Sequence, residues 1–518
     1  MRALVNLVAP LIIASSVLAE DLPPPETDAI TRHPIADIAS EAALSSAPLL
    51  RGLLSLPNDA HFPDQIEKNI LWLTLQFKKR GFDVRRVETE GLPLLLASKH
   101  VDPDAQTTLI YLQADGQPTD PEKWDQASPF TPVFKAPTPD GWEKKPWPSA
   151  ASGPLPDADW RVFARSASDA KGPIVMLIAA LDAMEQQGLR PTTNLKLVMD
   201  FEEELGSPNL PLAVDQNRDL FDADLLLIFD GPRHLSNQPT LFFGARGIAR
   251  ITLKSFGAKA PQHSGTFGNY APNPAQDMAI LLASMKDQHG RVLIGGFQDG
   301  IVISDTEMKA LREVPDNEQA MLEHLGVKSP ERVASTYQEA MQYPSLTLLG
   351  IESGWTGKQT RTIVPATATA ELDIRLVPEK DPEALIHLLR EHIQAQGFHI
   401  IAGSVPTENE RKTYDRLIAF EHRISYGAFR TALDSKAAIW AIRAMTKAFG
   451  HAPVQIRIVG GSIPISPFVN ALDIPAIGVP TVYLENNQHS PNENLRWGNY
   501  VEGIQTFFSL LTEESDPR

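Results

Sequence analysis

The chain has 518 residues, of which 42% are hydrophobic and 21% are charged, a composition typical of soluble globular proteins. At roughly 100–200 residues per domain, this length predicts more than one domain. The formal net charge of −17 argues against nucleic-acid binding, because a phosphate backbone is bound by a basic surface. There are no cysteines, which excludes disulfide bonds and thiolate ligands, so a zinc ion would have to be held by His, Asp and Glu.

The first 19 residues have the pattern of an export signal. A single basic residue, Arg2, precedes an apolar run, and Val17 and Ala19 fit the small-residue pattern before a cleavage site. An uncleaved anchor is the alternative, although the run is short for a membrane span. We expect residues 1–19 to be a signal peptide, residues 20–39 a flexible N-terminus, and the mature protein to be periplasmic or secreted, without membrane attachment.

Between residues 40 and 245, short apolar strands alternate with helical segments. Residues 108–115 are typical of a strand, residues 172–189 of an amphipathic helix, and two further strands end near residues 200 and 230. Residues 129–160 are rich in Pro and Gly without periodicity, so we interpret them as a long surface insertion. The alternation predicts an α/β domain with a mostly parallel, helix-covered sheet.

The pattern changes at about residue 246. Several segments now alternate with period two, which is typical of an antiparallel sheet with one solvent-facing side, and two helical segments lie between them. After about residue 432 the buried helix–strand pattern returns. We therefore predict an α+β domain over 246–431, inserted into an α/β domain that is assembled from 40–245 and 432–515.

Acidic residues follow the buried strands of the α/β domain. Asp115, Glu203, Glu204 and Asp230 all lie at the carboxyl end of an apolar strand, the edge at which ligands collect in such folds. A metal-dependent hydrolase needs ligands from different strands and a base for the attacking water. The adjacent Glu203 and Glu204 suit these two roles. A glutamate-rich run is also common at the solvated start of a helix. The position of this run directly after an apolar strand is what favours a catalytic role.

Several short motifs occur in an order known from one protein family. They are ARSASDAKGP at 164–173, DFEEELGSP at 200–208, FDGP at 229–232, QHSGTFGNYAPNPA at 262–275, GGSIP at 460–464 and QHSPNEN at 488–494. Over about residues 45–512 the chain resembles the zinc exopeptidase family that includes carboxypeptidase G, aminoacylase, carnosine dipeptidase and succinyl-diaminopimelate desuccinylase. The resemblance, nearest to the peptidase and dipeptidase branch, implies cleavage of a peptide or N-acyl amino acid amide bond. It also implies a catalytic α/β domain and a homodimer formed through the lid domain 246–431.

The resemblance assigns metal-site roles to residues of four motifs. It implies that Asp169 bridges two metal ions and that Glu204, Asp230 and His489 are further ligands. Glu203 is the implied base that takes the proton of the attacking water at the metal. The peptide bond after Asp169 is cis in the family, and this chain has Ala170 where a second aspartate is usual.

One metal-site position departs from the family pattern. The family has His-x-Asp after the first strand of the site, and this chain has Gln113 followed by Asp115. A glutamine offers a neutral carbonyl oxygen, a poorer zinc ligand than imidazole. We therefore expect one firmly held zinc ion and a second that is weaker or absent, with Mn²⁺ or Co²⁺ as other candidates. The alternative is a catalytically silent relative that binds ligands, which the presence of the base Glu203 argues against.

Four more residues match substrate-binding positions of the family. His263 is implied to hold the substrate carbonyl, commonly from the partner subunit, and the loop with Gly461 and Ser462 to receive the substrate carboxylate. Arg375 is implied to bind the same end of a small peptide or N-acyl amino acid. Each also has a purely structural alternative. His263, Gly461 and Ser462 would then be turn residues, and Arg375 would form an ion pair on the surface of the sheet.

Overall fold

The protein is described here by a computed structural model that covers residues 34–149, 155–461 and 463–514. The predictions for residues 1–19, for 20–33 and for Ser462 lie outside these described residues. Helix α1 begins at Pro34, so residues 34–39, which we predicted to be flexible, are helical, because Ala39 and the buried alanines that follow it pack into the main core. Within the described ranges, none of the helices is both long and apolar enough to cross a membrane.

The helices and strands of the described residues follow in chain order. The helices are α1 (Pro34–Leu54), α2 (Pro63–Lys79), α3 (Lys171–Gln186), α4 (Leu210–Gln216), α5 (Arg218–Phe221), α6 (Ser264–Phe267), α7 (Pro274–Met285), α8 (Asp305–Glu313), α9 (Glu318–Leu325), α10 (Tyr337–Ala340), α11 (Pro382–Ala395), α12 (Glu408–Thr413), α13 (Lys436–Phe449), α14 (Ser466–Leu472) and α15 (Trp497–Thr512). The strands are β1 (Asp83–Val87), β2 (Leu94–Lys99), β3 (Thr107–Gln113), β4 (Val133–Thr138), β5 (Gly141–Lys145), β6 (Arg161–Phe163), β7 (Asn194–Asp200), β8 (Leu225–Ile228), β9 (Thr240–Phe242), β10 (Gly244–Ala245), β11 (Gly247–Phe256), β12 (Gln262–His263), β13 (Ser345–Glu352), β14 (Ile363–Val364), β15 (Thr367–Leu376), β16 (His399–Ile400), β17 (Leu417–Tyr426), β18 (Phe429–Arg430), β19 (Val454–Ile456), β20 (Ala476–Gly478) and β21 (Asn494–Arg496).

The largest sheet has eight strands in the order β1-β2-β7-β3-β8-β20-β9-β19. Its middle strands β7, β3, β8 and β20 are parallel neighbours, whereas β1, β2 and the β20–β9 pair are antiparallel. The predicted α/β class is confirmed, with a sheet that is mixed at its edges. The parallel middle is what matters for function, because it places the ends of β3, β7 and β8 at one edge.

Helix α3 lies against one face of this sheet and is buried almost all round. The sequence predicted an amphipathic helix with one solvent-facing side, but residues 171–181 are all buried, and this prediction is wrong. Helix α3 is buried by tertiary packing, because α1 and α15 cover the side of α3 that faces away from the sheet. Tyr500 of α15 and Ser46 of α1 join these two helices through a hydrogen bond of 2.6 Å.

A second sheet, of five strands in the order β13-β15-β11-β17-β16, has its own core. The long strands β15, β11 and β17 are antiparallel, as predicted, and α7 and α11 pack on one side. Its strands come from residues 247–426, whereas those of the eight-stranded sheet come from 83–242 and 454–478. The chain passes between the sheets at β10 and β18, which pair with each other. The predicted boundaries at 246 and 431 lie beside this passage, and the domain division itself remains a prediction.

Residues 129–149 form more regular structure than the sequence indicated. They include β4 and β5, which join β6 and β21 in a four-stranded sheet. Phe134 of β4 is buried, with its ring centroid 5.6 Å from those of Trp160 and Trp497. The expected lack of regular structure over 129–160 was therefore wrong for the first half of the segment, because aromatic packing orders it despite the Pro and Gly content, while β5 does lie at the surface.

Candidate active site

Three side chains converge beyond the carboxyl ends of the parallel strands. One ligand atom each of Asp169, Glu204 and His489 lies within 4.8 Å of the others. His489 Nε2 is 2.8 Å from Asp169 Oδ2 and 3.4 Å from Glu204 Oε2. The three come from the turn before α3, the turn after β7 and the loop before β21, so residues 320 positions apart in the chain meet at one point. The Asp169–Ala170 peptide bond is cis, as the resemblance implied.

The turn after β7 directs three consecutive glutamates to different places. Asp200 ends the strand and accepts hydrogen bonds from the Ser207 hydroxyl at 2.6 Å and from the backbone N–H of Glu202 at 2.9 Å, which closes the turn. The Glu202 side chain accepts hydrogen bonds from neighbouring loops and points away from the cluster. The short 3₁₀ turn that follows turns Glu203 and Glu204 to the site, as the sequence led us to expect.

The strand β3 delivers two polar residues to the same place. Gln113 is buried, and its Nε2 donates a hydrogen bond to Asp169 Oδ1 at 2.5 Å, while its Oε1 has no protein partner. Asp115 Oδ2 accepts a hydrogen bond from the backbone N–H of Glu204 at 3.1 Å, and its Oδ1 is buried without a partner. Asp115 thus holds the backbone of the turn that carries Glu204.

The carboxylates of the site repel one another in a buried setting. Burial, followed by the charge of Asp169, raises the pKa of Glu204 to about 8 and that of Asp230 to about 7. Burial, followed by the charge of Asp230, raises the pKa of Glu203 well above its usual value. The hydrogen bond to Asp169 raises the pKa of His489 to about 9. One protonated histidine does not balance four carboxylates, and a divalent cation would provide the missing positive charge.

The donor set fits a metal ion on chemical grounds. Two carboxylates and one imidazole within reach of one point form the mixed oxygen and nitrogen set that zinc accepts, and other first-row divalent ions share this preference. Asp230 lines the same cavity, and its Oδ1 accepts a hydrogen bond from the Gly231 N–H at 2.6 Å. The His489 side chain is 52% exposed, which leaves the cluster open on one side for a substrate.

Sequence reasoning missed a buried glutamate that joins two of the ligand loops. Glu493 Oε1 accepts hydrogen bonds from the backbone N–H groups of Ser168 and Asp169, both at 3.0 Å. Its Oε2 accepts from the Ser166 N–H at 2.9 Å and from Arg165 at 2.7 Å. Glu493 follows His489 by four positions, so the loop that carries one ligand also shapes the turn that carries another. The glutamate inside QHSPNEN, next to a candidate ligand, was the signal available.

A second missed residue is Gln117, which lies just after β3. Its Nε2 donates a hydrogen bond to Glu204 Oε2 at 2.8 Å. Gln117 and the Asp115 contact to the Glu204 backbone therefore hold both ends of this glutamate. Nothing in the sequence pattern marked Gln117, because a polar residue in a Pro-rich turn is ordinary.

The predicted substrate residues are only partly brought together in one chain. Gly461 lines the cavity beside the metal cluster, and Arg246 donates two hydrogen bonds to the adjacent Gly460 carbonyl, at 3.0 and 3.1 Å. His263 is exposed on β12, where its Nδ1 accepts a hydrogen bond from the Gly265 N–H, and it does not line the cavity. Arg375 Nε is 3.5 Å from Asp373 Oδ2, and Arg375 does not line the cavity either.

Comparison with known proteins identifies the family. The profile of peptidase family M20/M25/M40 matches residues 115–513. The chain belongs to this family. A Cys-Gly metallodipeptidase of Schizosaccharomyces pombe is 26% identical over 469 residues, 88% of this chain and 90% of that protein. The human Beta-Ala-His dipeptidase is 25% identical over 436 residues, 81% of this chain and 77% of that protein.

Solved structures show the same fold. An M20 family metallo-carboxypeptidase from Sulfolobus solfataricus is 26% identical with a TM-score of 0.72, covering 91% of this chain and 99% of that one. Human carnosine dipeptidase 1 is 21% identical with a TM-score of 0.69, covering 93% of this chain and 100% of that one. The resemblance inferred from the motifs is confirmed. As a member of this family the chain is a metal-dependent hydrolase of peptide bonds.

Glu493 gives the first testable prediction. Glu493→Gln should weaken the affinity for a divalent metal about 10- to 100-fold, because each oxygen of Glu493 accepts from two donors and the amide NH2 would face two donors in either orientation. Chelator competition measures the affinity, and the visible spectrum of the cobalt-loaded protein reports the ligand geometry. Glu513→Gln is the matched control, since Glu513 is a buried carboxylate that pairs with Arg443 instead. Unchanged metal affinity and cobalt spectrum in Glu493→Gln would show that the contact does not position the ligands.

Proposed function

We propose that the protein is a zinc-dependent dipeptidase that hydrolyses the peptide bond of small peptides with a free carboxyl terminus. The observation that carries this proposal is the convergence of Asp169, Glu204 and His489 beside Glu203 in one cavity. The dipeptidases among its relatives support a dipeptide substrate. N-acyl amino acids remain the other substrate class, because they present the same amide bond and carboxylate.

The residues of the site divide the reaction between them. Asp169, Glu204 and His489 would hold a zinc ion, which supplies Lewis acidity that polarises the scissile carbonyl and lowers the pKa of water. Glu203 takes a proton from the attacking water and later delivers it to the leaving amine. Burial, followed by the charge of Asp230, raises the pKa of Glu203, which makes its carboxylate a stronger base than a solvent-exposed one. The loop at Gly461 receives the substrate carboxylate.

The adjacent glutamates should fail in different ways when changed. Glu203→Gln should lower kcat about 100- to 10,000-fold while metal binding persists, because the general base is lost and the ligands remain. Glu204→Gln should lose metal as well as activity. Elemental analysis and dipeptide turnover, measured on both variants with zinc, manganese or cobalt added, check this.

Two results would contradict the assignment of these roles. Full activity of Glu203→Gln would remove Glu203 as the base. Absence of turnover by the folded wild-type protein with every metal and a broad panel of dipeptides and N-acyl amino acids would instead favour a silent ligand-binding protein.

We further propose that the site holds one metal ion firmly and a second weakly or not at all. The Gln113 Nε2 stands 2.5 Å from Asp169 Oδ1, the oxygen left over when Oδ2 faces His489. An N–H donor at that place competes with a second cation for the same oxygen. Asp230 alone would then remain for the second position.

Gln113→His tests the metal count directly. We expect about one tightly bound zinc per wild-type chain and about two per Gln113→His chain, because an imidazole restores a strong second-site ligand. Calorimetric titration of metal-free protein with zinc gives both the stoichiometry and the affinities. Two equally tight ions in the wild-type protein would show that the glutamine does not weaken the second site.

We also propose that the protein forms a homodimer through the domain that carries the five-stranded sheet. The edge strand β13 exposes apolar side chains, among them Leu348 and Ile351, which are 45% and 53% exposed. Exposed apolar edge strands favour association with another chain. A partner chain would also account for His263, which does not line the cavity of its own chain and would reach the site of the partner.

Mixed dimers test whether His263 acts across the interface. His263→Ala and Glu203→Gln proteins should each be nearly inactive, but co-refolding them should restore activity at about a quarter of the sites, since each mixed dimer then contains one intact site. Light scattering on the same samples measures the oligomeric state. Mixtures that stay inactive although they are dimeric would place His263 at the site of its own subunit, whereas an active His263→Ala protein would place it outside the reaction.

The location of the protein is a separate proposal. Residues 1–19 carry the pattern of an export signal, and on this basis alone we propose a periplasmic or secreted protein. The N-terminal residue of the protein purified from cells, read by mass spectrometry, distinguishes cleavage after Ala19 from an uncleaved chain.

A further inference from the structure

The metal cluster occupies only one end of a much larger cavity. The cavity has a volume of about 680 Å³ and contains Asp169, Glu203, Asp230 and His489 at that end. This volume falls in the range of sites that enclose whole small molecules, roughly 300–1,000 Å³. The backbone of a dipeptide at the metal cluster would leave much of it unfilled.

The wall beyond the metal cluster is apolar. Ile458, Val459 and Ile463 flank the Gly460–Gly461 loop on the side of the eight-stranded sheet. Met321 and Leu325 of α9 and Met341, just after α10, line the same cavity. Leu325 is 64% exposed, so it lies at the rim, where a bound side chain would cover it.

The apolar wall lies directly beside the loop that we propose for the substrate carboxylate. A Cβ placed on Gly460 would be 3.0 Å from Met341 Sδ, 3.3 Å from Arg246 Nη2 and 3.6 Å from Tyr337 Oη. In a dipeptide the carboxylate and the C-terminal side chain share one Cα atom. A carboxylate at Gly460–Gly461 therefore puts the C-terminal side chain against this wall.

Charged groups along the wall are few and mostly paired. Among the described residues that line the cavity there is no lysine and no arginine. Asp316 is paired with His234, with 3.0 Å between Oδ1 and Nε2, and it also accepts a hydrogen bond from Gln338 at 3.3 Å. His324 is exposed at the rim. Arg246 is hydrogen-bonded to the Gly460 carbonyl and does not line the cavity, so a charged substrate side chain would lose its water against the apolar wall, which is costly.

We infer that the enzyme selects dipeptides whose C-terminal residue has a large apolar side chain, such as leucine or phenylalanine. The apolar wall acts as the pocket for that side chain, and the Gly460–Gly461 loop fixes the carboxylate beside it. This inference rests on the proposed function, since it assumes that a dipeptide occupies the cavity with its carboxylate at this loop.

Two matched series of dipeptides test the inference. In the series Ala-Gly, Ala-Ala, Ala-Leu, Ala-Phe, Ala-Lys and Ala-Glu, only the C-terminal side chain changes. We expect kcat/KM to rise roughly 10- to 100-fold from Ala-Gly to Ala-Leu and Ala-Phe, the range given by burial of one large apolar side chain. Ala-Lys and Ala-Glu should be no better than Ala-Gly. The reversed series, from Gly-Ala to Phe-Ala, should vary less.

Variants of the wall connect the preference to these residues. Met341→Lys should reduce the ratio of kcat/KM for Ala-Leu over Ala-Gly and raise that for Ala-Glu, because it adds an unpaired cation beside the loop. Leu325→Lys, at the exposed rim, should act in the same direction and does not threaten folding. Val405→Lys is the control, since Val405 is 66% exposed and does not line the cavity.

The outcomes separate this inference from the proposed function. A flat C-terminal series, or a preference for Ala-Lys or Ala-Glu, would overturn the apolar pocket while the dipeptidase assignment stands. No cleavage of any dipeptide would overturn the assignment itself. Binding of Ala-Leu and Ala-Gly to the Glu203→Gln protein, measured by calorimetry, decides the preference without turnover, and equal affinities would refute it.

Discussion

The site depends on one electrostatic constraint, which is that several carboxylates are held together where water is scarce. Asp169, Glu203, Glu204 and Asp230 meet around a single histidine, and burial with mutual repulsion raises the pKa of the last three. A chain would not gather these charges without a compensating cation, because each buried unpaired charge costs several kcal/mol. The fold must therefore supply rigid supports that keep the repelling groups in place until the ion binds.

Those supports come from hydrogen bonds to the backbone of the ligand turns. Glu493 accepts the N–H groups of the turn before Asp169, and Asp115 accepts the N–H of Glu204. The turns cannot relax away from each other, because Glu493 lies in the same loop as His489. The parallel strands bring the turns after β3, β7 and β8 to one edge, and these hydrogen bonds then set the distances to the loops of Asp169 and His489. The approximate position of the ligand turns thus comes from the strands, and the exact distances between the ligands come from hydrogen bonds to the backbone.

The sequence allowed the position of the ligand turns to be predicted, but not the hydrogen bonds that fix the distances between the ligands. Apolar runs that end in acidic residues indicated the α/β class, and the motif order indicated the cluster of Asp169, Glu204 and His489. The burial of α3 on all sides could not be read from its own residues, since it depends on α1 and α15 covering it. Likewise, Gln117 and Glu493 act through contacts with turns far away in the chain. The motif around His489 could have drawn attention to Glu493, but no local pattern shows which turn either residue contacts.

The two ends of the cavity have opposite requirements, and the fold meets them with different parts of the chain. The metal end needs fixed polar groups, and these stand on the turns after β7 and β8 and on the loops before α3 and β21. The apolar end is walled partly by α9 and the residues after α10, which belong to the segment between the two chain passages at β10 and β18. Changes in this segment can therefore alter which side chain is accepted without moving the metal ligands. Selectivity and catalysis are separable here because they reside on separate elements that share one cavity.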